Sequence, residues 1–397
     1  MFLSHFSTSL VLVLLFLAWL LRKKSEAQKH SQAEKKTTSS SLATTSPIEP
    51  LDDFQWDKTE PLILRPFKPR YHITMGIERA TLSELIQIDK HYLSRITLRT
   101  TLIQDKRASV LGASPRSIPA VKELYSFLMN DYLPRRYSTI FQRISTTTST
   151  SSSASASASA PTTMLRNTVT GETIPSTPPT DAEEALAIIG RQVEEDFLLL
   201  LPPQSSSLRD DDKKEGTNKQ MTLEAFIGCF PNGFNWADKF RRSLASIHVP
   251  VPDYTTKLRA SMDRYLERLK VGECVKRANW TVSVDGELHA ASSMHLYEGE
   301  EVVELKELDV NTARLRCERQ MLFRLPISQA VVFVVRTYMY PLQDVKKEGN
   351  GPRLVEAIAG LKEGSSPGFH FYKRAAVWQR AVSEYLLDGG NEAAVAV

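Results

Sequence analysis

Arg314–Tyr340 reads RLRCERQMLFR-LPISQA-VVFVVRTYMY. Two runs rich in β-branched and apolar residues, Arg314–Leu325 and Ala330–Tyr340, flank Pro326-Ile327-Ser328-Gln329, a connection of hairpin length. Within a strand successive side chains alternate between faces. Arg316, Glu318 and Gln320 therefore share one face of the first run, and Arg336 and Tyr338 share one face of the second.

Working outward, Trp280–Val284 is a further strand candidate. Phe197–Leu201 and Leu223–Phe230 (LEAFIGCF) are two more, joined by a polar insertion. Between them and Trp280 lies a helical stretch, Trp236 to Lys270, interrupted by Pro250 and Pro252. Helical periodicity also marks the residues after Thr81, Val121–Tyr132, Asp181–Val193, Arg353–Leu361 and Lys373–Leu387. Two strands, helices, then three strands predicts an α+β fold: a PAS-like antiparallel five-stranded sheet with flanking helices. Such a fold holds ligands between a curved sheet and the intervening helices.

The chain has 397 residues and a net charge of +4. Six basic against two acidic side chains between Arg22 and Lys36 carry that whole excess, so the rest is balanced. A nucleic-acid surface built on bulk positive charge is excluded. Cys229, Cys274 and Cys317 are widely spaced, with no C-x-x-C, which argues against a sequence-local metal site and a disulfide framework.

Leu10–Leu21 reads LVLVLLFLAWLL and is followed by Arg22-Lys23-Lys24. The sequence predicts an N-terminal transmembrane helix, a membrane anchor over residues 1–24. Its basic flank favours a single-pass protein of the endoplasmic reticulum with a cytosolic C-terminal body. A cleaved signal peptide and an organelle-targeting segment are the rivals. Residues 25–50 read as a flexible tether, and 51–390 as one domain with disordered insertions at 145–180 and 202–220.

Several strings resemble the heme-dependent oxidative N-demethylase family, α subunit. They are Pro66–Ile77 (PFKPRYHITMGI), Ile88-Asp89-x-x-Tyr92, Glu195-Asp196-Phe197-Leu198-Leu199 and Phe230-Pro231. The others are Ser246-Ile247-His248-Val249-Pro250-Val251-Pro252-Asp253-Tyr254, Arg277-Ala278-Asn279-Trp280, Arg316-Cys317-Glu318-Arg319-Gln320-Met321, Arg324-Leu325-Pro326 and Val335-Arg336-Thr337-Tyr338. The resemblance covers residues 60 to 385. It implies a PAS-type fold binding heme b, and a monooxygenase that removes a methyl group from a small secondary amine with O2 and NADPH. Neither a G-x-G-x-x-G nor a cysteine cluster is present, so flavin, iron–sulfur cluster and NADPH would act through an electron-donating reductase.

Heme iron needs an axial ligand, and imidazole is the commonest. Of eight histidines, His248 follows an amphipathic helix and is stopped by two prolines, which makes it the metal and cofactor-binding candidate; His72 is a lesser one. The competing reading of His248 is a capping or core histidine. Glu318, Arg336 and Tyr338 are the catalytic candidates: a carboxylate for a cationic amine, an arginine to polarise O2, a phenol to donate a hydrogen bond. Arg277, Asn279 and Arg316 are the further cofactor-binding candidates. The competing reading is a cross-strand ladder of paired charges. Two other functions stay open: a non-catalytic heme-binding PAS-like sensor, and a heme-free interaction protein at a membrane.

Overall fold

The computed structural model describes residues 48–146, 162–203 and 220–388. Its strands are β1 Glu78–Ala80, β2 Leu111–Ala113, β3 Phe141–Thr146, β4 Thr162–Asn167, β5 Thr173–Pro175, β6 Asp196–Leu201, β7 Thr222–Ile227, β8 Cys274–Ser283, β9 Arg314–Arg324 and β10 Val331–Pro341. Seven form one antiparallel sheet in the order β1-β8-β9-β10-β6-β7-β2, and β3-β4-β5 form a second.

This architecture corrects the five-stranded PAS-like platform and its α+β label. The chain is mixed α/β, with a seven-stranded sheet beside a three-stranded one. The two added edge strands, β1 and β2, have three residues each. Runs that short show no readable alternation; their pairing with β8 and β7 defines them. The expected transmembrane helix over 1–24 lies outside the described residues, and no described helix is long and apolar enough to cross a membrane. The tether lies outside them up to residue 47.

The expected insertion 145–180 is likewise corrected in part. β4 and β5 lie inside it, and Leu165 and Ile174 pair across them and are buried in the main core. Residues 147–161, and 204–219 of the second insertion, lie outside the described residues.

The sheet is covered on both faces, which is why β6 (DFLLLL) and β7 (TLEAFI) are buried at every position. Phe197 and Leu199 of β6 join Met321, Phe323, Val332 and Val334 against the helices α1 Tyr92–Asp105, α2 Ile118–Ser126 and α3 Ala182–Gln192. Local chemistry starts these helices. Pro119 sits in the first turn of α2, and the Asp181 side chain accepts the Glu183 N–H at the start of α3. On the other face Leu198, Leu200, Leu223, Val275 and Leu322 pack against Leu266 of α4, Arg259–Arg268. The β9–β10 hairpin is pinned from outside: the Glu123 carboxylate of α2 accepts the N–H groups of Ile327 and Ser328 at 2.7 Å each.

Candidate functional site

A cavity of about 290 Å³ opens between the α4 side of the sheet and the segment leading into that helix. Register decides which strand residues reach it. Gln320 pairs with Arg277 on one side and Val335 on the other; Glu318 pairs with Asn279 and Thr337. Paired residues share a face, so Arg277, Asn279, Glu318, Gln320 and Val335 all line the cavity.

His248 stands on the opposite wall. It ends the short helix Leu244–Ile247, whose first turn is capped by Ser243 Oγ accepting the Ser246 N–H. Its ring Nδ1 lies 2.7 Å from the Leu244 carbonyl. A carbonyl only accepts, so Nδ1 carries the proton and Nε2 keeps its lone pair. The ring stacks on Tyr254 at 4.5 Å. Burial pushes its pKa down to about 4, which keeps the imidazole neutral.

A second neutral imidazole, His295, lines the same cavity. It stacks on Tyr372 at 4.2 Å, and burial pushes its pKa down to about 3. In the sequence His295 only closes the polar stretch His289–His295 (HAASSMH). Its buried neighbours Met294 and Leu296 were the available signal. Gly233 (φ +84°) lets the chain pass this ring, since a Cβ there would fall 2.5 Å from His295 Nδ1.

Lys373 is the other residue that the sequence did not disclose. In the sequence it only opens the last helical stretch, Lys373–Leu387. Its side chain is 3% exposed and lines the cavity. Nζ donates to Asn279 Oδ1 (2.9 Å) and to the Trp280 carbonyl. Asn279 in turn donates to Glu318 Oε2 (3.3 Å), which also accepts from Gln320 (3.0 Å). Burial pushes the Lys373 pKa down to about 7 against the pull of Glu318. Among the described residues Arg277 has neither a hydrogen-bond nor an ion-pair partner, and its Nε is buried. Asn232 Oδ1 and Thr281 Oγ1, also on the cavity wall, are buried without partners.

Three of the predicted site residues lie elsewhere, and so does His72. Arg316 is fully buried, and its guanidinium donates to the carbonyls of Glu287, Leu288, Phe230 and Pro231, so it ties two loops to the sheet instead of lining the cavity. Arg336 and Tyr338 share a face as expected, and it is the face opposite the cavity, because Thr337, not Arg336, pairs with Glu318. There they border a second cavity of about 330 Å³. Arg336 bonds Asp89 Oδ2 at 2.8 Å and lies 2.6 Å from Glu194 Oε2. Burial raises the Glu194 pKa to about 7, although Arg336 pulls it down. His72 is exposed and accepts the Ser365 N–H.

Among the described residues no group of three or more His, Cys, Asp or Glu gathers as a metal site. The cavity instead offers single imidazoles, a free guanidinium and a carboxylate, between apolar walls that include Phe234, Trp236, Phe333 and Phe369. The family model described as Haem-dependent oxidative N-demethylase, alpha subunit-like matches residues 76–383, a span that contains every one of these groups.

Proposed function

The chain belongs to the heme-dependent oxidative N-demethylase α-subunit-like family, and from that premise we propose that it binds heme b in the cavity beside His248 and removes a methyl group from a small secondary amine. The observation that carries this reading is His248, a neutral imidazole with its Nδ1 proton committed to Leu244 and its other nitrogen left as a ligand. The remaining donors fit the group. Apolar walls suit a porphyrin, and the unpartnered Arg277 guanidinium suits a propionate carboxylate. When bound, heme supplies the oxygen and one-electron chemistry that no side chain can.

The protein's own residues do the rest. Glu318, held by Asn279 and Gln320, is the anchor for a cationic secondary ammonium. The aromatic walls exclude water, which strengthens that charge pairing. Reducing equivalents from NADPH arrive through a partner that carries flavin and an iron–sulfur cluster, since the sequence has no motif for either.

The test is to supply the full-length, heme-loaded chain with dimethylamine, O2 and a reductant and measure formaldehyde. Release in proportion to amine consumed supports the reading. Glu318→Gln should raise KM about 10- to 100-fold, the loss of one charged hydrogen-bonded contact. Heme uptake with no formaldehyde would leave a non-catalytic heme protein.

A further inference from the structure

Lys373 is a buried ammonium that, like the guanidinium of Arg316, is held by neutral oxygens alone among the described residues. Arg99 and Arg336 each have a carboxylate within ion-pair distance, whereas among the described residues Lys373 has two neutral oxygens alone, Asn279 Oδ1 and the Trp280 carbonyl. Two acceptors satisfy both hydrogens of an uncharged –NH2 and leave its lone pair free. A third hydrogen, in the charged form, finds no acceptor. The Tyr71 and Trp280 rings, each 5.3 Å from Nζ, favour the cation by roughly 0.5–2 kcal/mol. Removing an unpaired ammonium from water costs several times more, on the order of several kcal/mol. The neutral amine is therefore the form this site accommodates, and the downward shift of its pKa to about 7 agrees.

We propose that Lys373 is a carbonyl-capturing amine, which condenses in the cavity with a small aldehyde. The aldehyde class rests on the function proposed above, because oxidative removal of an N-methyl group releases a one-carbon aldehyde into this same cavity. The Nζ lone pair attacks the carbonyl carbon and forms the C–N bond. The carbonyl π electrons pass to oxygen, which takes up the proton lost from nitrogen, giving a carbinolamine. Loss of water from that adduct leaves an imine, so no oxidant or reductant is consumed. Glu318 orients the Asn279 amide that accepts from Nζ, and the proton passes from nitrogen to the carbinolamine oxygen through solvent.

The experiment uses the full chain without heme, treated with formaldehyde and sodium cyanoborohydride at pH 6 to 10, with methylation read by peptide mass spectrometry. At pH 7, Lys373 should be methylated at least tenfold faster than the exposed Lys58 and Lys106. Its rate should level off above pH 7. Lys373→Arg should remove the fast-reacting site alone. A Lys373 that stays unmodified, or that follows the exposed lysines, overturns the proposal. Because no heme or turnover is involved, that failure is separate from failure of the demethylase reading, which heme uptake and formaldehyde release report.

Discussion

Glu318 and Thr337 are direct cross-strand partners in the β9–β10 hairpin. This single pairing puts Glu318 on the cavity wall and turns Arg336 and Tyr338 through to the other side of the sheet. A slip of one residue would exchange the two sets. The two faces then carry different chemistry: a ligand cavity on one, a buried ion cluster of Arg336, Asp89 and Glu194 on the other.

That division predicts a stability role for Arg336. Arg336→Met leaves Asp89 and Glu194 buried without their counter-ion, which should cost about 3–5 kcal/mol. Urea unfolding of the two proteins measures it. The folded variant should still take up heme normally, since the cluster faces away from the cavity. A variant as stable as the parent would contradict the role given to the pair.

Arg316 gives a second prediction. Its planar guanidinium reaches four backbone carbonyls at once, a geometry that the single ammonium of lysine cannot reproduce. Arg316→Lys should lose at least about 2 kcal/mol of stability, since buried carbonyls are left unpaired. A thermal melt that does not shift would refute this.

The hairpin was legible because the β9 and β10 runs are long and bounded by Pro326, and His248, Glu318, Arg277 and Asn279 stood out as polar residues in apolar or proline-bound settings. Which face each strand residue takes was not legible across the turn. It depends on the pairing of Leu325 with Ala330 across the four-residue turn, with Gln329 at positive φ, which sets each even-numbered residue of β9 opposite an odd-numbered residue of β10. β1, β2, β4 and β5 escaped because three-residue strands have no period, and because a Ser/Thr/Ala tract masks the start of β4. His295 and Lys373 escaped because their burial is created by distant segments, Gly233 and β8.

Stability against pH between 3 and 8 follows from groups of opposite sign, the two cavity imidazoles His248 and His295 against Glu194. The His295 pKa falls from its ordinary 6.5 to about 3, so unfolding takes up a proton between those values. Its contribution is complete above pH 6.5 and is lost as the pH drops toward 3. Glu194 rises from 4.5 to about 7, facing Arg336, Asp89, Arg95 and Glu195, so its contribution is complete below pH 4.5 and is lost as the pH climbs through 7. Chemical unfolding of the heme-free chain from pH 3 to 8 should show both limbs. Glu194→Gln should flatten the decline toward neutrality and leave the acid limb in place; an unchanged neutral limb would remove Glu194 from this role.

The most direct test of the account is a heme titration of the purified full-length chain followed by absorption spectroscopy. It predicts a Soret band that saturates at one equivalent, abolished or strongly shifted in His248→Ala and unaltered in His72→Ala. A chain that takes up no heme, or a His248→Ala variant with the parent's spectrum, would contradict it.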